Sequence, residues 1–127
     1  MPSHEDDPDI SSLIVDEHWQ GTTAVLSCTG VIDMLTSPQL DAAMTAAESQ
    51  EPFAIIVDLT AVDFLASTGI GLLVFASDSM TPKGRFAVVA DGPATSRPLT
   101  VIGVAEHINM QPTLNAAFAS IVGSGEA

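Results

Sequence analysis

Two adjacent hydroxyl side chains, Ser67 and Thr68, are the groups in this chain best placed to take part in chemistry. They follow a short loop and stand directly before Gly69, where an unusually apolar helix is predicted to begin. The first N–H groups of a helix have no partner inside the helix and carry a partial positive charge. A hydroxyl at this point can therefore cap the helix, or it can carry a phosphate. The local sequence leaves both alternatives open.

The elements that position this pair alternate between strands and helices after an opening hairpin. Ser37 and Pro38 are typical of a helix start, and the apolar run from Phe53 is predicted to end as a strand at Asp58. The predicted strands cover residues 13–19, 23–29, 53–58, 85–90 and 107–110, and the predicted helices cover 37–49, 69–79, 96–104 and 112–122. This order predicts a single α/β domain around a mixed, largely parallel sheet.

Length and composition set the domain organisation. The chain has 127 residues, which is enough for one domain with its own core. Residues 1–12 are predicted to be a disordered acidic tail, residues 13–122 the folded domain, and residues 123–127 a flexible C-terminus. The acidic start is unlike a signal peptide, and no apolar run reaches the roughly 20 residues needed to cross a bilayer. A cytoplasmic protein is expected.

The charge balance limits the class of partner. Sixteen acidic residues stand against three basic ones, Lys83, Arg85 and Arg97, giving a formal net charge of −13. Such a chain repels nucleic-acid phosphates and anionic lipid headgroups, so neither nucleic acid nor a membrane is an expected partner. The charge serves solubility, or it steers the chain toward a basic partner.

The residue types that support catalysis or metal binding are not arranged for either. His4, His18 and His107 lack the spacing of metal ligands, and Cys28 is the one cysteine. Cys28 lies in an apolar strand pattern and is interpreted as a buried small hydrophobe, with a redox role left open. The sequence predicts no enzyme, no cofactor and no metal.

Three segments resemble a known family. They are Gly30-Val31-Ile32-Asp33 followed by Ser37-Pro38-Gln39-Leu40, then Asp58-Leu59-Thr60-Ala61-Val62-Asp63-Phe64, then Ala66-Ser67-Thr68-Gly69-Ile70-Gly71. These are similar to the characteristic segments of STAS domains, specifically the stand-alone bacterial anti-sigma factor antagonists. The resemblance covers about residues 13–122.

The resemblance implies a regulatory binding protein. Such a protein captures an anti-sigma factor with a GHKL-type kinase fold and so releases a sigma factor. By this resemblance Thr68 takes the phosphate (Ser67 is the alternative), the phosphorylated form does not bind, and a phosphatase resets it. Thr68 stands where the family usually has serine, and Ala66 stands where it has aspartate. A monomer or a weak dimer is expected.

The expected partner surface combines these residues with the apolar helix. Val74 and Phe75 point away from the side of the helix that faces the sheet, and they are predicted to contact the partner or to be covered by loops. Asp33 is predicted to serve turn chemistry or to meet a basic residue of the partner. The complete predicted set is Asp33, Ala66, Ser67, Thr68, Gly69, Ile70, Val74 and Phe75.

Two other functions remain open at this point. One is a STAS accessory subunit that docks on the ATPase of a membrane lipid-transport complex without a phosphate cycle. The other is a nucleotide-binding module that uses the N-terminus of the Gly69 helix. The second needs a phosphate cradle rich in glycine or basic residues, and the surrounding sequence has none.

Overall fold

Strands and helices alternate after an opening hairpin, as the sequence predicts. The computed structural model describes residues 12–79 and 85–126, with side chains described as far as residue 121. Its elements are β1 (Leu13–Gln20), β2 (Thr23–Ile32), α1 (Ser37–Glu48), β3 (Ala54–Leu65), α2 (Ser67–Ser79), β4 (Phe86–Val89), α3 (Ser96–Val101), a 3-10 turn (Val104–Glu106), β5 (Asn109–Gln111) and α4 (Leu114–Glu126). The predicted tail, apart from Ser12, and residues 82–84, which separate the predicted helix 69–79 from the next predicted strand, lie outside the described residues.

One mixed sheet holds all five of these strands in the order β1-β2-β3-β4-β5. The β1–β2 pair is antiparallel, and each later neighbour is parallel. Parallel strands end at the same side of a sheet, so the chain leaves β2, β3 and β4 at one edge. We call this the carboxyl edge. The predicted single α/β domain with a mixed, largely parallel sheet is confirmed.

The strand predicted to end at Asp58 continues seven residues further, to Leu65. Residues 61–65 pair with residues 29–32 of β2, with one shift in register before this segment and one within it, so β2 also runs further than predicted. The Asp58 carboxylate accepts hydrogen bonds from the Thr60 backbone N–H at 3.0 Å and from its hydroxyl at 2.8 Å. This local chemistry is typical of a turn, and the shifts interrupt the usual alternation. The sequence prediction was wrong here for both reasons.

The start of α1 also differs from the prediction. Thr36, not Ser37, is the N-cap residue, and Ser37 lies inside the helix and is buried. The Thr36 hydroxyl accepts from the Asp33 N–H at 2.9 Å and donates to the Val31 carbonyl at 2.7 Å. It thereby ties the end of β2 to the beginning of the helix. The sequence placed the helix start one residue too late, and the Thr36 side chain makes no capping hydrogen bond to the helix.

Helices cover both faces of the sheet. The larger core lies between the sheet and α1, α2 and α3, and it includes Leu26, Leu59 and Leu73. The smaller core lies under α4, where Ala117 and Ile121 are buried against strand residues of the other face. Helix α4 runs to Glu126, past Gly123, where the sequence predicted its end. The arrangement leaves the N-terminus of α2 at the carboxyl edge.

Gly30 is a position where the fold requires glycine, because its φ is +115° and a Cβ would collide with the Ser12 carbonyl oxygen. We expect Gly30→Ala to lower the free energy of unfolding by about 1–3 kcal/mol. Gly21→Asn is the matched control, since Gly21 has φ +63° and open space around it, and asparagine tolerates this conformation. Urea unfolding of the two variants checks the difference, and equal stabilities would contradict it.

Candidate functional site

The N-terminus of α2 is fixed to the carboxyl edge by backbone hydrogen bonds. The Ala66 N–H donates to the Ile32 carbonyl at 2.8 Å, and the Ala66 carbonyl accepts from Gly69 at 3.0 Å and from Ile70 at 3.1 Å. Ala66 therefore joins β2 to the first turn of the helix. Helix α2 begins at Ser67, two residues earlier than the sequence predicted.

Ser67 and Thr68 lie in the first turn of α2, and both are exposed. Among the residues that the structure describes, neither hydroxyl makes a hydrogen bond. The Ser67 and Thr68 side chains therefore do not cap α2. Two free hydroxyls at the positive end of a helix remain available to solvent or to a partner.

Gly69 allows the helix to approach the sheet closely. It is buried, and a Cβ there would collide with Ile32 Cγ2 and come within 2.9 Å of Leu65 Cδ1. Both neighbours are the last residues of their strands. The absence of a side chain at Gly69 thus determines where Ser67 and Thr68 are held.

Asp33 organises the loop beside this helix. Its Oδ1 accepts hydrogen bonds from the backbone N–H of Leu35 at 2.9 Å and of Thr36 at 3.1 Å. The turn chemistry that the sequence left as one alternative is therefore present. Asp33 also follows Ile32 directly, so this loop adjoins the Ala66 junction. A contact between Asp33 and a partner stays a prediction.

Exposed apolar side chains are present on the same helix and in the adjoining Asp33 loop. Phe75 of α2 is 71% exposed, and Met34 and Leu35 of the Asp33 loop are 72% and 74% exposed. Val74 is half-buried, and Ile70 is only 7% exposed and belongs to the core. Ile70 and Gly69 therefore support the site by placing the helix. Met34 and Leu35 were not predicted as site residues, although two consecutive large apolar residues inside a turn are a usable signal.

A second apolar feature lies along α3 at the same edge. It is an open groove of about 440 Å³, which we call the α3 groove, lined by Phe64, Leu65, Pro93, Ala94, Arg97, Pro98, Val101 and Ile102. Phe64, Val101 and Ile102 are each more than half exposed. The groove begins at the residues that lead into Ser67. The groove was not predicted from the sequence.

Cys28 lies in the core and is unsuited to redox chemistry. Burial, with a smaller contribution from the Asp58 carboxylate, raises the pKa of the Cys28 thiol from 9.0 to about 12. The thiol is therefore protonated at neutral pH, and thiolates are the reactive form. The interpretation of Cys28 as a buried small hydrophobe agrees with this position.

This pKa shift predicts a pH dependence of stability. Below pH 9 the thiol is protonated in both states, so it has no effect. Above pH 9 the unfolded chain loses the proton while the folded chain keeps it until about pH 12, so stability falls with rising pH in that window. We expect Cys28→Ala to show a smaller loss of stability between pH 9 and pH 11 in urea unfolding. An identical pH profile for both chains would contradict this.

Within residues 12–79 and 85–126, no group of three or more His, Cys, Asp or Glu side chains is placed to hold a metal ion. The helices of the same residues include none that is both long and apolar enough to cross a membrane. What the carboxyl edge offers is a surface: free hydroxyls, exposed apolar side chains and an adjoining groove. These are the features of a protein-binding site.

Comparison with known proteins identifies relatives of this chain. The sequence model of the STAS domain matches residues 15–117. The anti-sigma-F factor antagonist RsfB of Mycobacterium tuberculosis is 34% identical over 116 residues, which cover 91% of this chain and 93% of RsfB.

Solved structures of anti-sigma factor antagonists have the same fold. An anti-sigma factor antagonist from Mycobacterium paratuberculosis superimposes with a TM-score of 0.83 at 34% identity, covering 87% of this chain and 94% of that one. SpoIIAA in its unphosphorylated form, an anti-sigma factor antagonist found in Bacillus, has the same fold, with a TM-score of 0.68 at 19% identity over 87% of this chain and 97% of SpoIIAA. The chain belongs to the STAS domain family.

Proposed function

We propose that this chain is an anti-sigma factor antagonist that binds a kinase-like anti-sigma factor and so releases its sigma factor. The description of RsfB, which is 34% identical along 93% of its length, supports this class. The observation that carries the proposal is the exposed surface formed by α2 and the Asp33 loop. It includes the Ser67 and Thr68 hydroxyls, which make no hydrogen bond among the described residues, and the exposed side chains of Phe75 and Leu35. The alternative of a transport accessory subunit receives no support from these relatives.

The physical basis of the proposed binding is burial of exposed apolar side chains on the surface of a protein with a net negative charge. Covering Met34, Leu35 and Phe75 removes exposed apolar area from water, and each large side chain contributes about 1.5–3 kcal/mol when fully buried. The net charge of −13 favours a basic partner surface and speeds its association. Asp33 stands at the margin of this surface, where it can meet such a charge.

Phosphorylation of Thr68 would act on this interface and leave the fold intact. A phosphate adds a charge of about −1.5 to −2, which the N-terminus of α2 tolerates locally. The same charge becomes unfavourable when a partner covers it. Ala66 supplies no carboxylate beside the acceptor, so the proposal of binding is stronger than the proposal of phosphorylation. A phosphatase would then return the chain to its binding form.

The acceptor hydroxyl can be identified with the partner kinase. We expect incubation with the anti-sigma factor, Mg²⁺ and ATP to add one phosphate to the wild-type chain and to Ser67→Ala, and none to Thr68→Ala, as read by intact mass and peptide mapping. Phosphorylation of Thr68→Ala but not of Ser67→Ala would identify Ser67 as the acceptor. If no variant is phosphorylated although the complex forms, the phosphate switch is wrong and the binding role remains.

A further inference from the structure

The described chain starts at the same edge of the sheet as the candidate site. The Val31 N–H donates to the Ser12 carbonyl at 2.9 Å, and Leu13 pairs with Gly30 near the end of β2. Because β1 runs antiparallel to β2, the residues before Ser12 are attached at the carboxyl edge. Residues 1–11 thus join the domain at Ser12, next to the end of β2 that leads into the Asp33 loop.

The α3 groove has the composition of a site for an apolar segment that carries negative charge. Its lining is almost wholly apolar, and Arg97 is its one charged residue. Arg97 is exposed and makes no ion pair within the described residues. A basic partner, which the net charge of the chain favours, would be repelled at this point. An acidic occupant is therefore complementary to the charge of the groove.

Residues 1–11 meet that requirement in composition and in reach. Met1, Pro2, Pro8 and Ile10 are apolar, and the four acidic residues are Glu5, Asp6, Asp7 and Asp9. Strand β3, which leads into the groove, lies two strands from β1, or about 10 Å at usual strand spacing. Eleven extended residues span up to about 36 Å. Attachment to the same domain also gives the segment an effective concentration of about millimolar order.

We propose that residues 1–11 dock in the α3 groove of their own domain, with their carboxylates next to Arg97. The groove starts at Phe64 and Leu65, four and three residues before Thr68. An occupied groove narrows the access of a partner to that surface. If the proposed antagonist function holds, the N-terminal segment competes with the anti-sigma factor, and its removal from the groove raises the affinity of the chain for that partner.

A spin label tests this in the full chain without any partner. Ser3→Cys introduces the one accessible thiol, because Cys28 is buried and protonated. With a nitroxide at position 3, we expect strong paramagnetic broadening of the NMR signals of Phe64, Val101 and Ile102. Arg97→Glu is expected to remove most of this broadening, and Arg97→Lys to keep it.

Two outcomes would overturn the inference. Broadening that decreases smoothly with distance from Ser12, and that Arg97→Glu leaves unchanged, would mean that the segment has no preferred site. Broadening of an isotope-labelled, nitroxide-free chain by an equimolar nitroxide-labelled chain would assign the groove to a second copy. Because these measurements need no anti-sigma factor, their failure leaves the proposed function standing, and the reverse also holds.

Discussion

Thr68→Glu is expected to weaken binding of the anti-sigma factor about 100-fold or more, equivalent to roughly 2.7 kcal/mol. The Thr68 side chain is exposed in the first turn of α2 and has no hydrogen bond in the described part of the chain. A carboxylate there is well tolerated in the free protein, where the helix N-terminus favours it by about 0.3–1 kcal/mol. In the complex the same charge would be desolvated against apolar groups such as Leu35 and Phe75. Affinity is thus lost without loss of folding.

Two controls separate charge from position. Thr68→Val keeps the shape without the hydroxyl and is expected to bind within a few-fold of the wild type. Thr45→Glu introduces the same charge on the exposed side of α1 and is expected to leave binding unchanged. Titration calorimetry gives the affinities, and thermal unfolding verifies the fold. If Thr45→Glu and Thr68→Glu weaken the affinity equally, the loss comes from net charge alone. Thr68 would then not lie in the interface.

Gly69→Ala and Gly71→Ala are expected to change stability in opposite directions. A Cβ at Gly69 collides with Ile32 Cγ2 and lies 2.9 Å from Leu65 Cδ1, whereas a Cβ at Gly71 meets nothing within 4 Å. Overpacking of this kind costs about 1–3 kcal/mol. Alanine in place of an exposed helical glycine gains about 0.5–1 kcal/mol. The two substitutions are chemically identical and two residues apart, so each is the control for the other.

Chemical denaturation measures this difference directly. The close approach at Gly69 also positions Ser67 and Thr68, so Gly69→Ala should weaken partner binding even at temperatures where the variant is fully folded. If Gly69→Ala proves as stable as the wild type, the N-terminus of α2 is not held against Ile32 and Leu65 as described. A destabilising Gly71→Ala would show that α2 does not continue through that residue in solution.

The alternation of elements could be predicted from the sequence because its signals are local. The turn around Gly21, the Ser37-Pro38 start and the apolar run from Phe53 each depend on a few neighbouring residues. The position of Thr68 at the start of a helix is of the same kind. These local features are sufficient to predict the α/β domain and the candidate hydroxyls.

The features that were not predicted depend on contacts between distant residues. The extension of β3 to Leu65 requires shifts in its register with β2, which no local pattern reports. The helix start at Thr36 is accompanied by hydrogen bonds of its hydroxyl to Val31 and Asp33, which tie the loop to β2. The α3 groove forms only where Phe64 at the end of β3 meets Val101 and Ile102 at the end of a six-residue helix. Its apolar residues look like core positions in the sequence.

The most direct test of the proposed function is displacement of the sigma factor. The unphosphorylated chain is added to a preformed complex of the kinase-like anti-sigma factor and its sigma factor, and the products are resolved by native mass spectrometry. The proposal predicts a complex of this chain with the anti-sigma factor, together with free sigma factor, and Thr68→Glu should yield neither. A sigma complex that stays intact when the wild-type chain is in large excess would contradict it.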